Sequence, residues 1–169
     1  MTTAVRSDAR RLAEAVLDPE MPMLTLADLG VLRDVEENAD GSVVVTITPT
    51  YSGCPAMATM RDDIEHTLQD AGYMAVEVKT VLSPPWSTDW ISENGLRKLR
   101  ESGYSTPGPA PLRTSGPVPL TLTVRPRAVT CPVCHSANTR LDSEFGPTLC
   151  KALYRCLDCL EPFDHVKEI

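Results

Sequence analysis

The chain has 169 residues, six cysteines, three histidines, 15 prolines and a formal net charge of −7. That length holds one ordinary domain plus a small appendix, and an acidic chain with no basic run lacks the clustered Lys and Arg of a large nucleic-acid interface. No apolar run approaches a membrane span. The stretch from Met1 to Arg11 lacks the apolar centre of a secretory signal, so a cytoplasmic location with reduced thiols is expected.

Val5, Ala9, Leu12, Ala13 and Val16 recur at helical spacing and predict an amphipathic helix over 4–17. Asp18-Pro19-Glu20 ends it, because proline cannot continue the hydrogen-bond ladder. Two strands are predicted over 31–36 and 42–48, with a turn at 38–41. The second, Val43-Val44-Val45-Thr46-Ile47, is β-branched throughout and is expected to be buried on both faces. Tyr51-Ser52-Gly53-Cys54-Pro55 leads into a second helix that carries Met57, Met60, Ile64 and Leu68 and stops at Gly72. Residues 74–82 alternate, with Val76, Val78, Thr80 and Leu82 on one side of a third strand. After Pro84-Pro85-Trp86 a third helix is predicted over 88–101, ended by Gly103.

This order, α-β-β-α-β-α, predicts an α+β chain whose compact two-layer α/β domain occupies residues 1–105. Residues 106–126 contain six prolines (107, 109, 111, 117, 119 and 126), which favour an extended, semi-rigid linker over a packed loop. A small C-terminal ribbon follows over 127–169. It holds two Cys-x-x-Cys pairs, Cys131 with Cys134 and Cys156 with Cys159, separated by 21 residues. Four thiolates on two tight turns suit one tetrahedral metal, zinc rather than the rubredoxin-like iron alternative. A closed shell of four sulfurs leaves no open position for chemistry, so the ion is expected to be structural. A unit this small cannot bury an adequate core alone, and the metal must supply much of its folding free energy. His135 would compete for a shell already filled, and Cys150 is read as packing or as a spare ligand.

Cys54 stands outside any pair. Proline is favoured at the first helical position, so Pro55 places Cys54 at the N-cap of the second helix. Unpaired amides and the helix dipole there favour a thiolate, and Gly53 permits close approach of another molecule. The competing reading is a buried, inert cysteine. Asp18 and Glu20 are explained by a local turn or by contact with a partner. Trp86 and Trp90 are explained by packing or by anchoring a partner.

Asp18-Pro19-Glu20, Asp28-Leu29-Gly30, Thr48-Pro49-Thr50 running into Gly53-Cys54-Pro55, and Pro84-Pro85-Trp86 ahead of Trp90 occur in an order that resembles the MIP18 (DUF59) family of iron–sulfur assembly factors. The resemblance covers about residues 8–105. Ser143-Glu144-Phe145-Gly146, the segment from Cys150 to Cys156, and Glu161-Pro162-Phe163 resemble the tail of that family's zinc-ribbon-bearing subset, the PaaD-like subunits of the bacterial phenylacetyl-CoA epoxidase system.

The resemblance implies an accessory component of phenylacetyl-CoA 1,2-epoxidation in phenylacetate breakdown, working with the oxygenase and reductase subunits. The chain has no carboxylate and histidine set for a di-iron bundle, and no dinucleotide fingerprint or plant-type ferredoxin spacing. It is therefore expected to be neither the oxygenase nor the reductase, and no enzyme by itself. The implied role is maturation of an iron or iron–sulfur centre, with Cys54 as the functional thiol making a transient metal contact. Asp18 and Glu20 are implied as partner contacts. The rival reading is a structural subunit that binds no cluster; a thiol switch using Cys54 with Cys150 is a third. A cluster needs about four ligands, so stable binding at Cys54 would call for a homodimer, a partner's thiols or Cys150.

Overall fold

The computed structural model describes residues 6–111 and 129–169; the first residues of the predicted helix and most of the Pro-rich segment lie outside the described residues. The chain folds as two units, Met1–Leu99 and Arg100–Ile169.

In the first unit, helix α1 (Arg6–Glu14) turns Ala9 and Ala13 inward, followed by Val16 just past its end. Strands β1 (Leu32–Glu37) and β2 (Val43–Ile47) form an antiparallel hairpin. In its turn the Asn38 amide donates to Ser42 O at 2.8 Å, and the Asp40 carboxylate accepts from the Ser42 amide and hydroxyl. Helix α2 (Met57–Asp70) then crosses to strand β3 (Val76–Thr80), parallel to β2, giving the order β1-β2-β3. α1 packs on β1 and on α2, and α2 packs on β3. One face of the sheet is thereby covered. Val43, Val45 and Ile47 of β2 are fully buried together with Ile64 and Leu68 of α2. Val44 and Thr46, on the alternate face, are only half-buried. The expectation of burial on both faces is corrected here: only one face carries the helical layer.

The third predicted helix is divided. A 3-10 turn covers Thr88–Trp90, Ile91 is extended, and α3 runs over Glu93–Glu101. At the break the Ser92 hydroxyl accepts from the Gly95 amide at 2.9 Å as an N-terminal cap, and the Ser92 amide donates to Asp28 O at 2.9 Å.

The second unit is an antiparallel meander of β4 (Thr139–Ser143), β5 (Lys151–Cys156) and β6 (Pro162–Val166), in that order. Val129, Ala152, Tyr154 and Phe163 are buried with Cys131 and Cys156. Ser105 joins this unit: its amide donates to Asp164 O at 2.9 Å and its carbonyl accepts from Val166 N at 3.0 Å. Among the described residues no helix is long and apolar enough to cross a membrane.

Candidate functional site

The ribbon brings all four predicted ligands together. Cys131 and Cys134 lie on the loop before β4, Cys156 ends β5, and Cys159 lies on the turn into β6. Their sulfurs all lie within 4.8 Å of one another, with Cys131 Sγ 3.7 Å from Cys159 Sγ and Cys134 Sγ 3.5 Å from Cys156 Sγ. A tetrahedral zinc with Zn–S bonds near 2.3 Å requires sulfurs about 3.8 Å apart. The quartet fits that ion.

Each knuckle is built the same way. His135, which follows Cys134, has φ 59° and Leu160, which follows Cys159, has φ 65°, so both turns reverse the chain through a left-handed residue. The His135 amide donates to Cys131 O at 3.0 Å, and the Cys159 amide donates to Cys156 Sγ at 3.5 Å. That amide is the largest of the influences that lower the Cys156 thiol to about 7, against the opposing effect of burial. The knuckles are also tied to each other: Asp158 accepts from the Ser136 hydroxyl and from Asn138 Nδ2 at 2.7 Å, and the Leu157 amide donates to Asn138 O at 2.8 Å. Sequence spacing did not expose this tie. Cys150 is buried outside the quartet, with Sγ 3.1 Å from Thr148 Oγ1.

Cys54 lies in the loop joining β2 to α2. Its amide donates to Tyr51 O at 3.2 Å and its carbonyl accepts from Met57 N at 3.3 Å. The N-cap of α2 is Ala56, with helical φ −75° and ψ −6° and no side-chain cap. The predicted N-cap position of Cys54 is therefore corrected. An extra turn at 54–56 delays the helix. The side chain is 8% exposed, while Ser52, Gly53 and Pro55 beside it are open to solvent. The loop thus presents a shielded thiol beneath an accessible backbone.

Asp18 is 3% exposed, and its Oδ1 accepts from the amides of Glu20 at 2.9 Å and Met21 at 2.7 Å. It is a turn-forming residue and offers little surface to a partner, whereas Glu20 is half-buried. Trp86 is buried and its indole donates to Leu29 O at 2.9 Å. The Trp90 ring lies 3.6 Å beneath the Arg33 guanidinium. Both tryptophans therefore brace the segment around Gly30. Asp28 receives Lys98 Nζ at 2.6 Å and Asn94 Nδ2 at 2.8 Å, partners that no local pattern pairs with it.

Residues 6–80 match the family described as iron–sulfur cluster assembly protein, and residues 115–167 match the PaaD zinc beta ribbon domain. The chain is 42% identical to a protein from Escherichia coli (strain K12) described as a candidate component of 1,2-phenylacetyl-CoA epoxidase, over 92% of this chain and 88% of that one. It belongs to the PaaD family. The first unit alone is similar to an Fe-S protein maturation auxiliary factor from Porphyromonas gingivalis (strain ATCC BAA-308 / W83), with 33% identity over 54% of this chain and 88% of that protein. It is also similar to the crystal structure of a domain of unknown function, DUF59, from Bacillus anthracis. There the TM-score is 0.53 at 30% identity, covering 57% of this chain and 92% of that one. On this chain the stretch matching the zinc beta ribbon follows the stretch matching the assembly protein, and it contains the four clustered cysteines.

Proposed function

We infer that this chain assists the loading or repair of an iron or iron–sulfur centre in the phenylacetyl-CoA epoxidase, acting on the oxygenase or the reductase subunit. The observation that carries the reading is the fusion itself. A domain similar to Fe-S maturation factors is joined to a PaaD ribbon in a chain 42% identical to an epoxidase component. In this reading Cys54 is the thiol that meets the metal or the client, transiently, since it is the first unit's single cysteine. Iron is then cargo, while the zinc of the ribbon is structural, and Glu20 contributes to the client surface. The shallow burial of Cys54 supports a hand-over reached by small loop motion rather than storage of a cluster, which needs about four ligands.

A structural subunit that binds no cluster is the second reading, favoured by the same 8% exposure of Cys54. The two separate on one experiment. Iron and acid-labile sulfide are measured in the epoxidase and reductase co-expressed with wild type, with Cys54→Ser, or with no copy of this chain. The maturation reading expects metal to fall without the chain and to stay low with Cys54→Ser, and the metal-poor component identifies the client. Unchanged metal in all three, with epoxidation lost in the absence of the chain, would leave the structural reading standing.

A further inference from the structure

β3 ends its sheet, and among the described residues no strand pairs with its outer edge. Four large apolar side chains of the first unit are exposed among the described residues: Leu17, Met74, Val81 and Leu82. Three of the four flank this one strand, with Met74 91% exposed and Leu82 54% exposed. An edge of this kind invites pairing with another chain.

The backbone specifies which groups are on offer. Val43 N donates to Ala75 O and Val81 N donates to Ile47 O, so the odd-numbered residues from 75 to 81 turn their amide and carbonyl toward β2. Groups alternate sides along a strand, and Val76, Val78 and Thr80 therefore present theirs outward. If a second copy adds antiparallel with Val78 opposite Val78, the facing residues are Val76 with Thr80, Glu77 with Lys79, Ala75 with Val81 and Met74 with Leu82. Val78–Val78 and Val76–Thr80 fall at hydrogen-bonded positions, where the outward groups are. Glu77–Lys79 falls at the non-hydrogen-bonded positions, where facing side chains approach most closely. Glu77 and Lys79 already lie 3.5 Å apart within one chain, so two copies alternate their charges, opposite charge facing opposite charge. The exposed methionine meets the exposed leucine at each end. One two-fold axis satisfies all of these pairings.

We propose that the β3 edge is a self-association surface, joining two copies of this chain through an antiparallel β3–β3 pair centred on Val78 into one six-stranded sheet. One strand pair and its flanks form a small contact beside the about 1,600 Å² of a standard stable interface, so association is reversible and concentration-dependent.

The test is sedimentation velocity of the zinc-loaded full chain over micromolar to millimolar concentration. Wild type shifts from 18.4 kDa toward twice that mass. E77K or K79E alone sets like charges opposite each other at both symmetric positions and weakens association about ten-fold or more. The double variant E77K/K79E restores it. E77K mixed with K79E forms a heterodimer more tightly than either associates with itself. Circular dichroism matching wild type shows that the variants are folded. A wild type that stays at 18.4 kDa throughout overturns the proposal. So does a dimer that neither single substitution weakens, or a folded double variant that remains monomeric.

Discussion

The Asp28 carboxylate accepts Lys98 Nζ at 2.6 Å across a sequence separation of 70 residues, fastening the 25–31 turn to the last long helix of the first unit. Asp28 is 7% exposed and also receives Asn94 Nδ2, the Ser92 hydroxyl and the Thr25 amide. Each donor favours the ionised form. Burial pushes the Asp28 carboxyl up, but the Lys98, Asn94 and Thr25 hydrogen bonds outweigh it and hold it at about 2.

An acid limb in the stability curve follows. The folded pKa of Asp28 is depressed, so its contribution is fully present above pH 4 and is lost as pH falls from about 4 toward 2. Lys98→Met is expected to cost about 2 kcal/mol at neutral pH, as for a hydrogen bond to a charged group. It should also make that limb shallower, because the unprotonated carboxylate then has less to lose. Urea denaturation at pH 7, 4 and 3 for wild type and K98M measures both. An unchanged limb would show that carboxylates elsewhere in the chain cause it.

Gly30 has φ +68°, and a Cβ there would stand 2.5 Å from Trp90 O and 2.6 Å from Trp90 Cβ. Strain and backbone overlap act together, so Gly30→Ala should destabilise the chain by about 2–4 kcal/mol. The thermal midpoint should fall by several degrees. Gly41, also at positive φ but with nothing within 4 Å, should lose less on the same substitution.

Zinc should bind at one ion per chain, and chelation should unfold the meander, because its core comprises few side chains. Proton–nitrogen correlation spectra would report it. Signals from Val129, Ala152, Tyr154 and Phe163 are expected to collapse toward unfolded positions. Cys156→Ser should lower bound zinc below stoichiometry, whereas Cys150→Ser should leave it unchanged, Cys150 being outside the quartet.

Cys54→Ser is expected to leave the fold intact, with a stability change of about 1 kcal/mol or less, since the swap is nearly isosteric and the site retains slight exposure. Loss of metal loading in the co-expressed epoxidase at unchanged stability would assign the thiol a role with the client. A large drop in stability would make it a packing residue.

How much was legible in the sequence differs from element to element. β2 and α2 were readable because their apolar periods are local and unbroken, and so was the clustering of the four ribbon cysteines, since Cys-x-x-Cys is a contiguous pattern. The two familial halves were readable from short motifs in order. The end of α2 at Gly72 (φ +99°) was likewise a matter of local backbone freedom. Tertiary structure alone decided that Ile91 would stay extended and Ser92 would begin a new helix, because Ser92 is drawn to Asp28 from 64 residues away. Tertiary packing also left one face of β2 without a helical layer and buried Asp18, whereas the shift of the N-cap from Cys54 to Ala56 came from a local turn at 54–56 that the pattern did not reveal. Pattern along a chain records which groups seek burial, capping or metal. Which partner each one finds depends on contacts between segments far apart in sequence, and those exist only once the sheet and helices have closed on one another.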